Sequence, residues 1–276
     1  MTTILMAVGY PPRRLRHGPA ATRARDGEAW LFEAAWWGLL AGSALVLGAL
    51  VGYLARVPRG VVAAVMGFGS GVLMSAVSFE LIAEAHEQGG LAATAAGAGL
   101  GALVYTAANV AMARRGARHR KRSGGLQPSE AEHSGSGTAI AVGALLDGIP
   151  ESVVIGTSLV AGGGVSAVTV AAVFISNVPE GLSSAAGMRR AGRSPRYVFG
   201  LWTGIALVSG LASMVGHGLL ADAPPVWTAG ITAFAGGAIL SMVADTMIPE
   251  AFDDAHLLVG LVTVAGFLTA FALSHA

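Results

Sequence analysis

The 276 residues carry only 12% charged side chains against 54% hydrophobic ones, and there is no cysteine. A water-soluble chain carries roughly 25% charged residues, so an ordinary soluble domain is excluded; the missing cysteines exclude disulfides, thiolate metal sites and thiol catalysis. The net charge of +1 selects no partner, and nothing in its distribution offers a surface for nucleic acid.

Residues 1–30 contain Arg13, Arg14, Arg16, Arg23 and Arg25 but no apolar core long enough for a signal peptide. They read as a disordered tail or an overlong start. From residue 31 onward, about eight apolar stretches are each long enough to cross ~30 Å of hydrocarbon as a helix. They run approximately over 34–55, 61–84, 91–112, 138–159, 165–188, 197–219, 226–247 and 256–275. Helix is the form expected, because lipid satisfies no backbone polar group; the alternating strands of a membrane barrel are absent. The expectation is an all-α polytopic membrane protein with eight transmembrane helices.

Basic residues cluster after the first span (Arg56, Arg59), the third (Arg114, Arg115, Arg118, Arg120, Lys121, Arg122) and the fifth (Arg189, Arg190, Arg193, Arg196). The excess of Lys and Arg on the cytoplasmic side then places those loops in the cytoplasm of a plasma or inner membrane, with both termini outside. The arginine-rich tail argues the other way. The 113–137 loop, basic at its start and followed by Ser123-Gly124-Gly125, reads as a flexible, solvated cytoplasmic linker; His119 and His133, fourteen apart, are weak evidence for metal.

Ionisable side chains inside a bilayer cost roughly 2.5–3.5 kcal/mol each and mark function by default. The fourth span holds Asp147-Gly148-Ile149-Pro150-Glu151-Ser152 and the fifth Ser176-Asn177-Val178-Pro179-Glu180-Gly181. Residues four apart share a helix face, which aligns Asp147 with Glu151 and Ser176 with Glu180. Each proline removes a backbone donor, freeing the carbonyls of Leu146 and Ile175 as further oxygen ligands. Counted from the cytoplasmic ends of two antiparallel helices, Asp147 lies level with Glu180 and Glu151 with Ser176. Three converging carboxylates repel unless a divalent cation or shared protons intervene. A single Pro-Glu is as well explained by a packed kink; two matched copies plus Asp147 favour a site.

Other acids extend a polar path. Glu80 and Asp245 are candidate lining residues of the second and seventh spans. Glu84 and Glu250, the latter in a third Pro-Glu, read as interfacial, as do His86 and His217. Met74 is a candidate thioether ligand, although core packing is the commoner use of a lone methionine. With no histidine mid-span, the oxygen-rich set leans toward Mn²⁺ or Fe²⁺, while Zn²⁺ also accepts carboxylate.

At these residues the sequence resembles the Zrt-/Irt-like (ZIP) family of divalent-metal transporters, whose fourth and fifth helices carry His-Asn-x-Pro-Glu-Gly and polar-Asn/Asp-x-Pro-Glu-Gly motifs. Glu151, Glu180 and Asn177 match. So do Ser70-Gly71-Val72-Leu73-Met74 through Glu80 in the second helix and Gly236-Gly237-Ala238 through Glu250-Ala251 in the seventh. The resemblance covers about 30 to 275 and implies eight helices, both termini outside and a variable loop between the third and fourth. It departs at Asp147, where the family has histidine, at Gly148 for asparagine, and at Ser213, where many members have a glutamate in the sixth helix. With those departures it implies one principal site of Asp147, Glu151 and Glu180, assisted by Asn177 and Ser176, on a central path formed mainly by helices 2, 4, 5 and 7.

The leading expectation is therefore a carrier that moves zinc, iron, manganese or a similar ion inward by rocking one helix group against another. The metal is its substrate, no prosthetic group is expected, and a homodimer is left open. Alternatives are a proton-linked carrier of another small solute, an intramembrane metal-dependent hydrolase, for which histidine ligands are missing at depth, and a sensor or scaffold.

Overall fold

The computed structural model describes residues 20–121, 127–129, 131–160, 165–255 and 258–275. Among them there is no strand. The helices are α1 (Ala20–Leu54), α2 (Arg59–Ala76), α3 (Ala83–Met112), α4 (Ser136–Ser158), α5 (Ala167–Arg190), α6 (Pro195–Leu220), α7 (Pro225–Met242), α8 (Ile248–Ala255) and α9 (Val259–Ser274). The expected disordered tail lies outside the described residues as far as position 19. Its remainder is a correction, for the backbone is already helical from Ala20. Ala20, Ala21 and Ala29 favour that conformation.

Five segments among the described residues are long and apolar enough to cross a membrane: Ala29–Leu54, Arg59–Ala117, Ser136–Ser158, Pro195–Leu220 and Pro225–Asp253. The second has 59 residues, which at 1.5 Å per residue would be roughly 90 Å long, far more than one bilayer. It is divided at Gly90, whose φ of 73° lies outside the helical region. Only glycine adopts that conformation without a Cβ penalty, so the chain changes direction there. Helix α5 is less apolar than these, because Ser176, Asn177, Glu180, Ser183 and Ser184 interrupt it. Short α9 is predominantly apolar.

Helix α1 packs on α5 and α6, α3 on α7, α2 on α9 and α5, and α4 on α6. One buried cluster joins Met66, Leu73 and Val77 of the α2 region to Ile239, Met242 and Met247 across from them, with Tyr105 and Val154. A second joins Leu45, Ile140, Met188, Trp202 and Ile205.

Small residues set the helix spacing. A Cβ at Gly101 would lie 1.9 Å from the carbonyl oxygen of Phe234, whereas one at Gly99 would meet nothing within 4 Å. Gly101→Ala therefore pushes α3 off α7. It is expected to cost roughly 1–3 kcal/mol, in the range for overpacking, while Gly99→Ala stays within about 0.5 kcal/mol. Thermal unfolding of the two purified proteins in one detergent checks the contrast.

A second irregularity follows α3. A π-helical turn over Ala113–Ala117 contains Gly116 at φ 98°, a second position where a side chain would be strained. It turns the chain back toward the bundle, so that Ala117, Arg120 and Lys121 are buried, at 0%, 3% and 5% exposure. Gln127 is buried as well. This corrects the expectation of a solvated linker at those positions. The described part that does face outward includes Glu132, which accepts hydrogen bonds from the Ser129 backbone N–H (2.8 Å) and hydroxyl (2.9 Å). Both hold its carboxyl below the usual range.

Candidate functional site

Asp147 and Glu151 project from α4, and Ser176, Asn177 and Glu180 from α5. All five are buried, none more than 5% exposed. Both prolines lie inside continuous helices. Gly143, one turn before Asp147, is the small residue that completes the seat, because a Cβ there would stand 2.6 Å from Arg120 Cδ.

Into this seat the Arg120 guanidinium inserts from the turn after α3. It grips Asp147 with two prongs, Nε to Oδ2 at 3.0 Å and Nη2 to Oδ1 at 2.8 Å. The bidentate fork is the strongest geometry a carboxylate receives from a side chain. Its Nη1 donates to Asn109 Oδ1 at 2.8 Å and its Nη2 also to the Tyr105 hydroxyl at 3.1 Å. That hydroxyl donates in turn to Asp147 Oδ1 at 2.6 Å. Tyr105 and Asn109 are four apart on α3, hence on one face. Asp147 is thus held from three directions.

Lys121 sits beside this clamp. Its Nζ donates to Glu180 Oε1 and lies 3.3 Å from Asp147 Oδ2, so the two acids expected to lie level do share a cation, and it is the ammonium of this chain. The Lys121 carbonyl accepts from Ser183 Oγ, which also lies 3.1 Å from Glu250 Oε1. Gln127 Nε2 donates to the Arg120 carbonyl (2.8 Å) and the Ser184 carbonyl (3.1 Å), fastening the segment to α5.

Glu151 is different. It is 1% exposed, and its Oε1 is buried with no hydrogen-bond partner. Asp147 and Glu180 form ion pairs with Arg120 and Lys121, whereas Glu151 forms none among the described residues and its Oε1 lacks a partner. A buried polar atom without a partner costs roughly 1–3 kcal/mol, more if charged. Such a group calls for a ligand or a proton.

The assisting residues are less direct. Asn177 Nδ2 donates to the Ala41 carbonyl of α1 at 3.0 Å, while its Oδ1 is buried with no partner. Ser176 Oγ donates to the Val173 carbonyl at 2.9 Å. The path candidates are not brought to the cluster. Glu80 accepts from Ser166 Oγ (2.7 Å) and Thr169 Oγ1 (2.8 Å) at the start of α5. Asp245 is exposed on a π-helical turn, Val243–Met247. Met74 packs against the apolar cluster around Leu73 and Ile239. The polar centre therefore differs from a path lined mainly by helices 2, 4, 5 and 7: α3 and the turn after it supply much of it, and the α2 candidates do not reach it.

Glu250 is a further correction. Read from sequence as interfacial, it is buried and contacts Ser183 within the same polar core, because the turn from α7 into α8 directs it inward. His217 is also more buried than an interfacial residue, at 7% exposure; His17 and His256 lie outside the described residues. Tyr105, Asn109, Arg120, Lys121 and Gln127 are the participants that sequence reasoning missed. Among the described residues, no group of three or more His, Asp or Glu side chains is arranged to hold a metal ion; the lysine stands between the acids. No protein-family model matches the chain, and a search of curated proteins finds no match.

Proposed function

We propose that the chain is an eight-span carrier that moves a divalent transition-metal cation, manganese, iron or zinc, into the cytoplasm, with Glu151 and Glu180 as its principal ligands and Asp147, Asn177 and Ser176 beside them. The observation that carries this reading is the buried Glu151 oxygen with no partner, one helical turn from Asp147, which already shares a cation with Glu180. Lipid-exposed structure has no use for such a group. A carboxylate kept without a counter-charge in a low-dielectric core binds a cation more strongly than it would in water. The motif resemblance adds support for a metal, and the division at Gly90, together with α5 and α9, raises five apolar segments to a reading of eight spans. Carboxylates with no imidazole at their level suit reversible binding better than hydrolysis.

The arrangement of Lys121 favours one competing reading, a proton-linked carrier of another small solute. Carboxylates bridged by an ammonium form a relay as readily as a metal cradle. Proteoliposomes distinguish the two. Inward flux of at least one ion from a panel of Mn²⁺, Fe²⁺, Zn²⁺, Co²⁺ and Cd²⁺, lost on Glu180→Gln and kept on Glu84→Gln, is the expected result. Proton movement that depends on Glu151 with no flux of any of the five would transfer the assignment to the proton-linked carrier.

A further inference from the structure

Lys121 is the only lysine of the chain, which otherwise meets its need for positive charge with sixteen arginines. It is also, among the described residues, one of two basic side chains buried in the polar core, 5% exposed and in contact with both Asp147 and Glu180. The two residues are held differently. Arg120 is fixed by four hydrogen-bonded contacts to Asp147, Tyr105 and Asn109. The Lys121 backbone is fixed through Ser183, but its ammonium is a point charge on a flexible four-carbon stem with no planar fork to lock it. The stem can withdraw while the backbone and the Arg120 clamp stay in place.

The charges make that withdrawal selective. In the ammonium's place a divalent cation brings one further positive charge, and Glu151, whose Oε1 has no partner, is the carboxyl that meets it. A monovalent ion taking the same place exchanges like for like and leaves the Glu151 oxygen as unmatched as before.

Resting on the cation-carrier reading, we propose that Lys121 is a specificity-determining residue, a tethered ammonium that occupies the cation site and yields to divalent but not monovalent ions. Asp147 then acts as a positioning residue: its fork with Arg120 sets where the tether begins. Selection here is by charge and not by ligand softness, so it operates alongside whatever preference the oxygens have among divalent metals.

The experiment uses the purified full chain in detergent, with Mn²⁺ as the probe and bound ion read by electron paramagnetic resonance. Lys121→Met is expected to tighten Mn²⁺ binding by about tenfold or more, an effect of the size that loss of one nearby like charge produces, and to make binding sensitive to competing Na⁺, which wild type resists. Lys121→Arg should retain the resistance to Na⁺. In wild type, Mn²⁺ should raise the reactivity of Lys121 toward an amine reagent, read by peptide mass spectrometry at this single lysine, by about tenfold as a buried amine becomes exposed; Na⁺ at equal ionic strength should not. If Lys121→Met fails to fold, the wild-type labelling decides the matter alone. Mn²⁺ binding that is unchanged in Lys121→Met and leaves the labelling unaltered overturns the role of Lys121 and keeps the carrier reading. No divalent binding by folded wild type or by Lys121→Met overturns both.

Discussion

Glu151→Gln is expected to reduce metal uptake by more than about 100-fold while leaving the purified protein at least as stable as wild type. The reasoning comes from its surroundings. The Glu151 carboxylate is almost wholly buried and one of its oxygens has no partner, so its ionised form costs the fold roughly 1–3 kcal/mol or more. The amide is nearly the same size and carries no charge, so it removes the charged part of that cost. A residue that weakens the fold and is used for binding has this double signature: function is lost and stability is held or gained. Glu180→Gln should differ, losing uptake together with some stability, because it deprives Lys121 of a hydrogen-bonded partner. Uptake in proteoliposomes and thermal unfolding of the same preparations give both halves. Wild-type uptake by Glu151→Gln would remove this residue from the site.

The second large effect is on stability. Arg120→Met leaves Asp147 buried without its bidentate partner and removes the donor that Tyr105 and Asn109 accept from. Breaking a buried ion pair by removing one member costs roughly 3–5 kcal/mol, whereas replacing both members by apolar groups is often close to neutral. The double variant Arg120→Met with Asp147→Leu is therefore expected to recover most of the loss seen in Arg120→Met alone. Coupling of this sign between residues in contact is what a double-mutant cycle measures. Simple addition of two losses would mean that the fork contributes nothing to the fold.

Most of the helical order was legible in the sequence, because lengths of apolar stretch map directly onto helices and the matched Pro-Glu segments stood out against them. The acids of both segments are buried, and the level relation of Asp147 with Glu180 is realised through Lys121. The counter-charges were not legible. Arg120 and Lys121 belong to a basic run that sequence patterning assigns to the cytoplasmic surface, and only the left-handed turn at Gly116 sends them inward. Faint signals were present: a solitary lysine among sixteen arginines, Gly143 one turn before Asp147, and Tyr105 and Asn109 on one face of the third span. The third Pro-Glu was visible, yet its position near a helix end suggested an interface, whereas the packing of α8 against α2 turns Glu250 inward. Glu80 shows the opposite error. An acid in an apolar helix drew attention as a path residue, and the structure ties it to the hydroxyls at the start of α5.

The central claim is that acids from α4 and α5 bind one cation between them. It is tested most directly by titrating Mn²⁺ into the purified protein and counting bound ions by electron paramagnetic resonance, beside Glu151→Gln and Glu84→Gln. One ion per chain in wild type and in Glu84→Gln, with none in a folded Glu151→Gln, is the result the account predicts. Equal occupancy in wild type and Glu151→Gln, or no bound ion in folded wild type, would contradict it.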